Sequence, residues 1–166
     1  MDEDKTERRQ KRMAVICWSG DLDRVWPTLI LSTTAAASGL EVDIFFTFWG
    51  LRVLQRNDKR ITGVNMKQKM ESVFDHGGTD HLHLGKLHMG GMGTMMIKQL
   101  AKEYKVAMPT DLFGMAVDLG VRLHPCQMSM ELYGLTKEDF VEGLQPPIGA
   151  ASFIDMAADA DISLFI

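Results

Sequence analysis

Met13-Ala14-Val15-Ile16-Cys17-Trp18-Ser19-Gly20-Asp21 is the stretch whose reading decides the fold. Its apolar run is the length of a strand rather than a helix, and Ser-Gly-Asp closes it as a tight turn. Asp21 suits the N-cap of a helix, Asp23 its first turn, and Leu22 through Ser38 stays apolar-rich until Gly39 supplies a stop. Pro27 falls near the start of that helix and is expected to bend it. Glu41-Val42-Asp43-Ile44-Phe45-Phe46-Thr47-Phe48 then reads as a second strand, rich in β-branched and aromatic residues. Strand, helix and strand in so short a span make a βαβ unit, and its right-handed crossover requires parallel strands.

Outward from this unit, a short helix is expected over Leu51 to Arg56, and then a long region of weak periodicity, residues 57–93, reads as an insertion or mobile loop. Helical patterning resumes over Thr94 to Tyr104 and again over Asp111 to Leu119, the latter capped by Thr110 and stopped by Gly120. Val121 to Leu123 is a short strand that delivers Cys126, and the helix after Cys126 ends at Gly134. Thr136-Lys137-Glu138-Asp139 has the form of a capping box, Ile148 to Ala158 reads as the last helix, and Asp161 to Ile166 as the last strand. The expected fold is a three-layer α/β sandwich, a mostly parallel sheet of four or five strands with helices on both faces. Residues 1–12 are expected to be a flexible tail and residues 13–166 a single domain; the basic run Lys5 to Arg12 in that tail is countered by Asp2, Glu3, Asp4 and Glu7.

Composition narrows the function. With 18 Lys and Arg against 22 Asp and Glu, the net charge of -4 gives no electrostatic footprint for nucleic acid. The charge-free stretch Val25 to Leu40 is shorter than a membrane span and is broken by Pro27, Ser32, Thr33, Thr34 and Ser38, so membrane association is not expected. The N-terminal segment lacks a secretory pattern, and two cysteines make neither a disulfide framework nor a four-cysteine zinc site. A reducing, cytoplasmic setting follows as the expectation.

Those two cysteines carry the chemistry. Cys126 is placed where a strand gives way to a helix, and a helix N-terminus favours the thiolate that attacks sulfur electrophiles. Gln127 and Ser129 are candidate hydrogen-bond donors to its sulfur. His124 is a weaker candidate for a base, because strand side chains reverse face at each step. Cys17 ends the first strand; packing is its default role, and a second-thiol role needs its sulfur close to Cys126. Sequence alone leaves open whether the two are neighbours or are separated by intervening strands.

Ser19-Gly20-Asp21-Leu22-Asp23, Phe45-Phe46-Thr47-Phe48-Trp49-Gly50-Leu51, Gly90-Gly91-Met92-Gly93, and Cys126-Gln127-Met128-Ser129-Met130 followed by Gly134 together resemble the DsrE/DsrF-like family of sulfur-relay proteins, in its peroxiredoxin-like branch. The resemblance runs from Met13 to Ile166. It implies an α/β domain that assembles as a trimer or hexamer. It also implies a cysteine after the third strand, here Cys126, that accepts sulfane sulfur as a persulfide from a donor protein and passes it to an acceptor. No organic cofactor is expected, since exchange at sulfur needs only a thiolate and a leaving sulfur. The Thr-x-x-Cys pattern of a peroxidase is missing.

Residues 76–88 hold His76, His81, His83 and His88, a concentration of imidazoles that could bind a borderline metal with Asp75 or Asp80 as an oxygen ligand. Met89, Met92, Met95 and Met96 follow, flexible thioethers suited either to a core or to an adaptable contact surface. From these arises the rival reading, a non-catalytic assembly or binding subunit that uses the His- and Met-rich segment for a partner or metal.

Overall fold

The computed structural model describes residues 9–58, 61–74 and 76–166. Among these residues, four strands form one sheet, β1 (Arg12–Cys17), β2 (Glu41–Phe46), β3 (Arg122–Pro125) and β4 (Ile162–Phe165). Their order is β3-β2-β1-β4, and every pairing is parallel. Among the described residues, six α-helices connect them: α1 (Leu22–Ala37), α2 (Met66–Phe74), α3 (Met92–Glu103), α4 (Pro109–Asp118), α5 (Gln127–Tyr133) and α6 (Ala150–Ala158). The α/β sandwich expected from sequence is the fold found. Among the described residues, no helix is long and apolar enough to cross a membrane.

Alternation along the strands sorts the two faces. Met13, Val15 and Cys17 of β1, Val42, Ile44 and Phe46 of β2, and Leu123 of β3 share the main core with Leu22, Val25 and Leu29 of α1 and Leu112, Phe113 and Ala116 of α4. Each fully buried Val, Leu, Ile, Met or Phe among them contributes roughly 1.5–3 kcal/mol. The other face is thinner: Ala14, Phe45, Cys126 and Phe153 of α6 form a small second cluster, and Phe45 and Phe153 stack with ring centroids 4.9 Å apart.

Several local expectations shift. β1 begins at Arg12, inside the stretch expected to be tail, and Arg9 is tied to Asp161, Gln10 to the Gly39 carbonyl; residues 1–8 of that tail lie outside the described residues. Asp21 stands at the N-cap of α1 without a side-chain cap bond, and Pro27 sits inside α1 without ending it. The short helix near Leu51 is a 3-10 turn, Phe48–Leu54. α4 starts two residues earlier than expected, at Pro109, because Asp111 accepts a hydrogen bond from the Met108 N–H while Thr110 turns to Asp80. The region 57–93 is not one long loop: it contains α2. Asn65 and Gln68 begin that helix reciprocally, the Asn65 side chain accepting from the Gln68 N–H and the Gln68 side chain from the Asn65 N–H. The Gln68 amide also donates to the Glu131 and Leu132 carbonyls, fastening α2 to α5.

Candidate functional site

Cys126 stands at the junction the sequence indicated. Its N–H donates to the Phe46 carbonyl, extending the β2–β3 ladder by one bond, and it is the N-cap residue of α5 with extended backbone angles. The segment before α6 completes the enclosure: the Gln127 N–H donates to the Ile148 carbonyl and the Ile148 N–H to the Pro125 carbonyl. Cys126 is consequently a free thiol only 1% exposed, lying in the small cluster beneath α6. Gly134 ends α5 in the left-handed conformation, φ 65°, where a side chain would be strained.

The residues expected to serve the sulfur are arranged otherwise. Gln127 is exposed and donates to Glu131 on the next turn of α5. Ser129 is buried, but its hydroxyl accepts from the Phe48 N–H at 2.9 Å and pairs with Thr47. From the third position of α5 it reaches toward the end of β2, holding the sharp turn in which Phe48 takes φ 50°. His124, ranked lower because strand side chains reverse face at each step, lies on the same side of the sheet as Cys126, both beside Phe153, since two steps along a strand restore the face. It is buried, 6.5 Å from the Phe153 ring centroid to centroid, and its Nε2 pairs with Asp43 Oδ1 at 2.7 Å.

That pair is part of a polar network on the α6 face at the amino ends of the strands. Arg122 donates to both Asp43 oxygens and to Glu41, which also accepts from Arg12. Burial works against the charged carboxylate of Asp43, yet hydrogen bonds from His124 and Arg122 outweigh it and hold its pKa down to about 2. An ionised Asp43 only accepts, so His124 Nε2 carries the proton; its Nδ1 is buried without a hydrogen-bond partner among the described residues.

Cys17 is different in kind. It is fully buried in the main core, and burial pushes its thiol up to about 12, only partly offset by a hydrogen bond with Thr28. At neutral pH it is a protonated packing residue. Gly50 packs so closely on this strand end that a Cβ there would run into the Cys17 carbonyl, which explains the glycine after Trp49.

The four histidines form two pairs, not one centre. His76 and His81 approach with ring centroids 5.9 Å apart, and His83 and His88 with 5.1 Å. Among the described residues, no three His, Cys, Asp or Glu side chains converge as a metal would require. His76 bonds to the Ser72 carbonyl, His81 to the Asn57 carbonyl, and Asp80 accepts from Thr110; Asp75 lies outside the described residues. His76, His81 and His83 line a cavity of about 570 Å³ at the carboxyl end of β1, with Trp18, Trp49 and Arg52. Neither cysteine borders it. Arg52 is buried there, paired with Glu71 and stacked 4.9 Å over the Tyr133 ring. Sequence reading passed over this Arg52–Tyr133–Trp49 group; a lone Arg inside the apolar run Phe48 to Leu54 is the signal that marks it.

Comparison with known proteins agrees with this architecture. The chain is 36% identical over 163 residues to the sulfur carrier protein DsrE2 of Allochromatium vinosum, covering 95% of this chain and 99% of that one. It is 33% identical over 156 residues to the uncharacterized protein YrkE of Bacillus subtilis, covering 94% and 97%. Two solved structures share the fold at low identity. The MTH1491 protein of Methanobacterium thermoautotrophicum gives a TM-score of 0.52 at 12% identity, covering 93% of this chain and 97% of that one. The ychN protein of E. coli gives 0.52 at 13%, covering 95% and 99%. The match to the DsrE/DsrF/DrsH-like family extends over residues 9–165, and this chain belongs to that family.

Proposed function

We propose that this protein is a sulfur carrier whose cargo rides as a persulfide on Cys126. The observation that carries the reading is the end-to-end kinship with a sulfur carrier protein in a chain that sets a free thiol at the β3–α5 junction. In the transfer, the Cys126 thiolate attacks the terminal sulfur of a donor persulfide. A new S–S bond forms at Cys126, the donor S–S bond breaks, and its electron pair leaves on the donor thiolate; no net oxidation occurs. Delivery to an acceptor thiol is the same step in reverse. His124, on the same face as Cys126, is the candidate acceptor of the thiol proton. With Sγ covered, sulfur enters when α6 lifts from the sheet. Two free cysteines support a reducing, cytoplasmic setting, and donor and acceptor proteins are the partners.

Incubation with polysulfide followed by peptide mass spectrometry tests this. One sulfur atom gained on the Cys126 peptide, and none after Cys126→Ser, is the expected result. Equal loading of the Cys126→Ser protein sinks the mechanism. Failure to load at all, under conditions that charge a known carrier, favours instead a binding subunit built on the methionines after His88, whose side chains are exposed.

A further inference from the structure

His124 is fixed by one ring nitrogen and leaves the other bare. Its Nε2 donates to Asp43 Oδ1 at 2.7 Å, and both residues are more than nine-tenths buried, His124 at 4% exposure. Nδ1 is buried as well, with no hydrogen-bond partner among the described residues. An acceptor left bare inside a protein costs stability, and such atoms are uncommon enough that each calls for a reason.

The reason lies in where the ring stands. Asp43 sits level with Arg122, two residues before His124, toward the amino ends of the strands. Cys126 follows two residues after His124 on the same face, and both pack beside Phe153. The two nitrogens of an imidazole look out from nearly opposite edges of the ring. With Nε2 turned back to Asp43, Nδ1 is turned forward along β3, toward Cys126.

Asp43 is held in its turn by Arg122, whose Nε donates to Oδ1 at 2.7 Å and whose Nη2 donates to Oδ2 at 2.6 Å. This two-point contact keeps the carboxylate ionised and stops it from turning away. The charged groups around the ring are Asp43 and Glu41 from β2, Arg122 from β3 and Arg12 from β1. α6 brings Phe153 and Met156, and Ala160 follows it.

We infer that Asp43 is a positioning residue for Cys126: by holding His124 through Nε2, it presents Nδ1 as the base that takes the proton of the thiol. The Cys126 S–H bond breaks with its electron pair left on sulfur, an N–H bond forms at Nδ1, and nothing is oxidised or reduced. The imidazolium so formed is balanced through its Nε2–H by the Asp43 carboxylate. This role rests on Cys126 working as a thiolate, as sulfur carriage requires.

The pH profile of Cys126 alkylation tests it, read by peptide mass spectrometry after iodoacetamide treatment of the folded protein. His124→Gln is the decisive variant: the Gln amide nitrogen takes the place of Nε2 and keeps the bond to Asp43, while nothing replaces Nδ1. At about pH 6, well below the roughly 8.5 at which an ordinary thiol ionises, Cys126 should react at least tenfold more slowly in His124→Gln than in the parent. The gap should narrow above about pH 9, where a thiol ionises unaided. Asp43→Asn should show the same pH-dependent loss, because an amide both donates and accepts and no longer fixes the tautomer. A variant that merely disturbs the cover over Cys126 slows or speeds the reaction alike at every pH; that result, or a parent-like rate at about pH 6 in either variant, overturns the inference. Polysulfide loading of the parent, measured alongside, separates the two readings. Sulfur gained on Cys126 without the pH signature overturns the role of Asp43 alone, and the signature without sulfur gained overturns the carrier reading alone.

Discussion

Cys17 and Cys126 lie on opposite faces of the sheet, with β2 between the strands that carry them. Cys17 registers with Phe46, Phe46 with Pro125, and Cys126 follows one step on with its side chain beneath α6. Two strand spacings separate the backbones by about 9–10 Å, beyond the roughly 7 Å that a disulfide spans. Mild oxidation of the folded protein should therefore leave no Cys17–Cys126 bridge. Non-reducing peptide mapping checks this, and a bridged peptide from native protein would show that one strand leaves the sheet.

The raised pKa of Cys17 makes it a source of pH-dependent stability. Its folded value, about 12, lies above the roughly 8.5 of a thiol in an unfolded chain, so the native state holds the proton longer. Its stabilisation is complete below about 8.5 and is lost as pH rises toward 12. Urea denaturation across that window should show falling stability in the parent and a flatter profile in Cys17→Ala. Cys17→Ser should cost about 1–3 kcal/mol at neutral pH by setting a hydroxyl among apolar side chains.

Asp43 acts at the other end of the scale. With its pKa depressed to about 2 against about 3.9 unfolded, its contribution is present above about pH 4 and lost as pH falls toward 2. The linked stability is of order 2 kcal/mol. Asp43→Asn should remove that acid limb and cost about 2–3 kcal/mol near neutrality, because Arg122 and His124 lose a charged acceptor in a buried place. An Asp43→Asn protein as stable as the parent at pH 7 would mean that the network is not held together by this carboxylate.

Much of this site was legible because local rules coincide with the fold. The apolar run into Ser19-Gly20-Asp21, the aromatic second strand and Gly134 after the Cys126 helix each obey a single local cause, so strand ends and the thiol's position could be read. What tertiary contact decides was not legible. No local pattern orders β4 beside β1, nor turns Ser129 to Phe48 in place of the sulfur. α2 had its signature in Asn65 and Gln68, but Met66, Met70 and Val73 face solvent, so their helical spacing does not point to a core. The facing of His124 followed from strand geometry alone, since residues two apart share a side.

Phe153 is the buried side chain through which α6 covers the cluster containing Cys126, with the partly buried Ala157 and Ala160 and, from the segment before α6, Ile148 beside it. A cover so thin opens by local fluctuation at lower cost than the main core, whose strands carry α1 and α4. Phe153→Ala removes the ring stacked on Phe45 and should destabilise the protein by about 3–5 kcal/mol if the cover carries a core residue's share, and less if α6 settles into the space. The sharper readout is the thiol. In native buffer Cys126 should react with iodoacetamide at least tenfold faster in Phe153→Ala than in the parent, while Cys17, under α1, stays unreactive in both. Equal acceleration at the two cysteines would indicate global unfolding. An unchanged Cys126 rate in a protein that remains folded would show that sulfur reaches it by a path other than beneath α6.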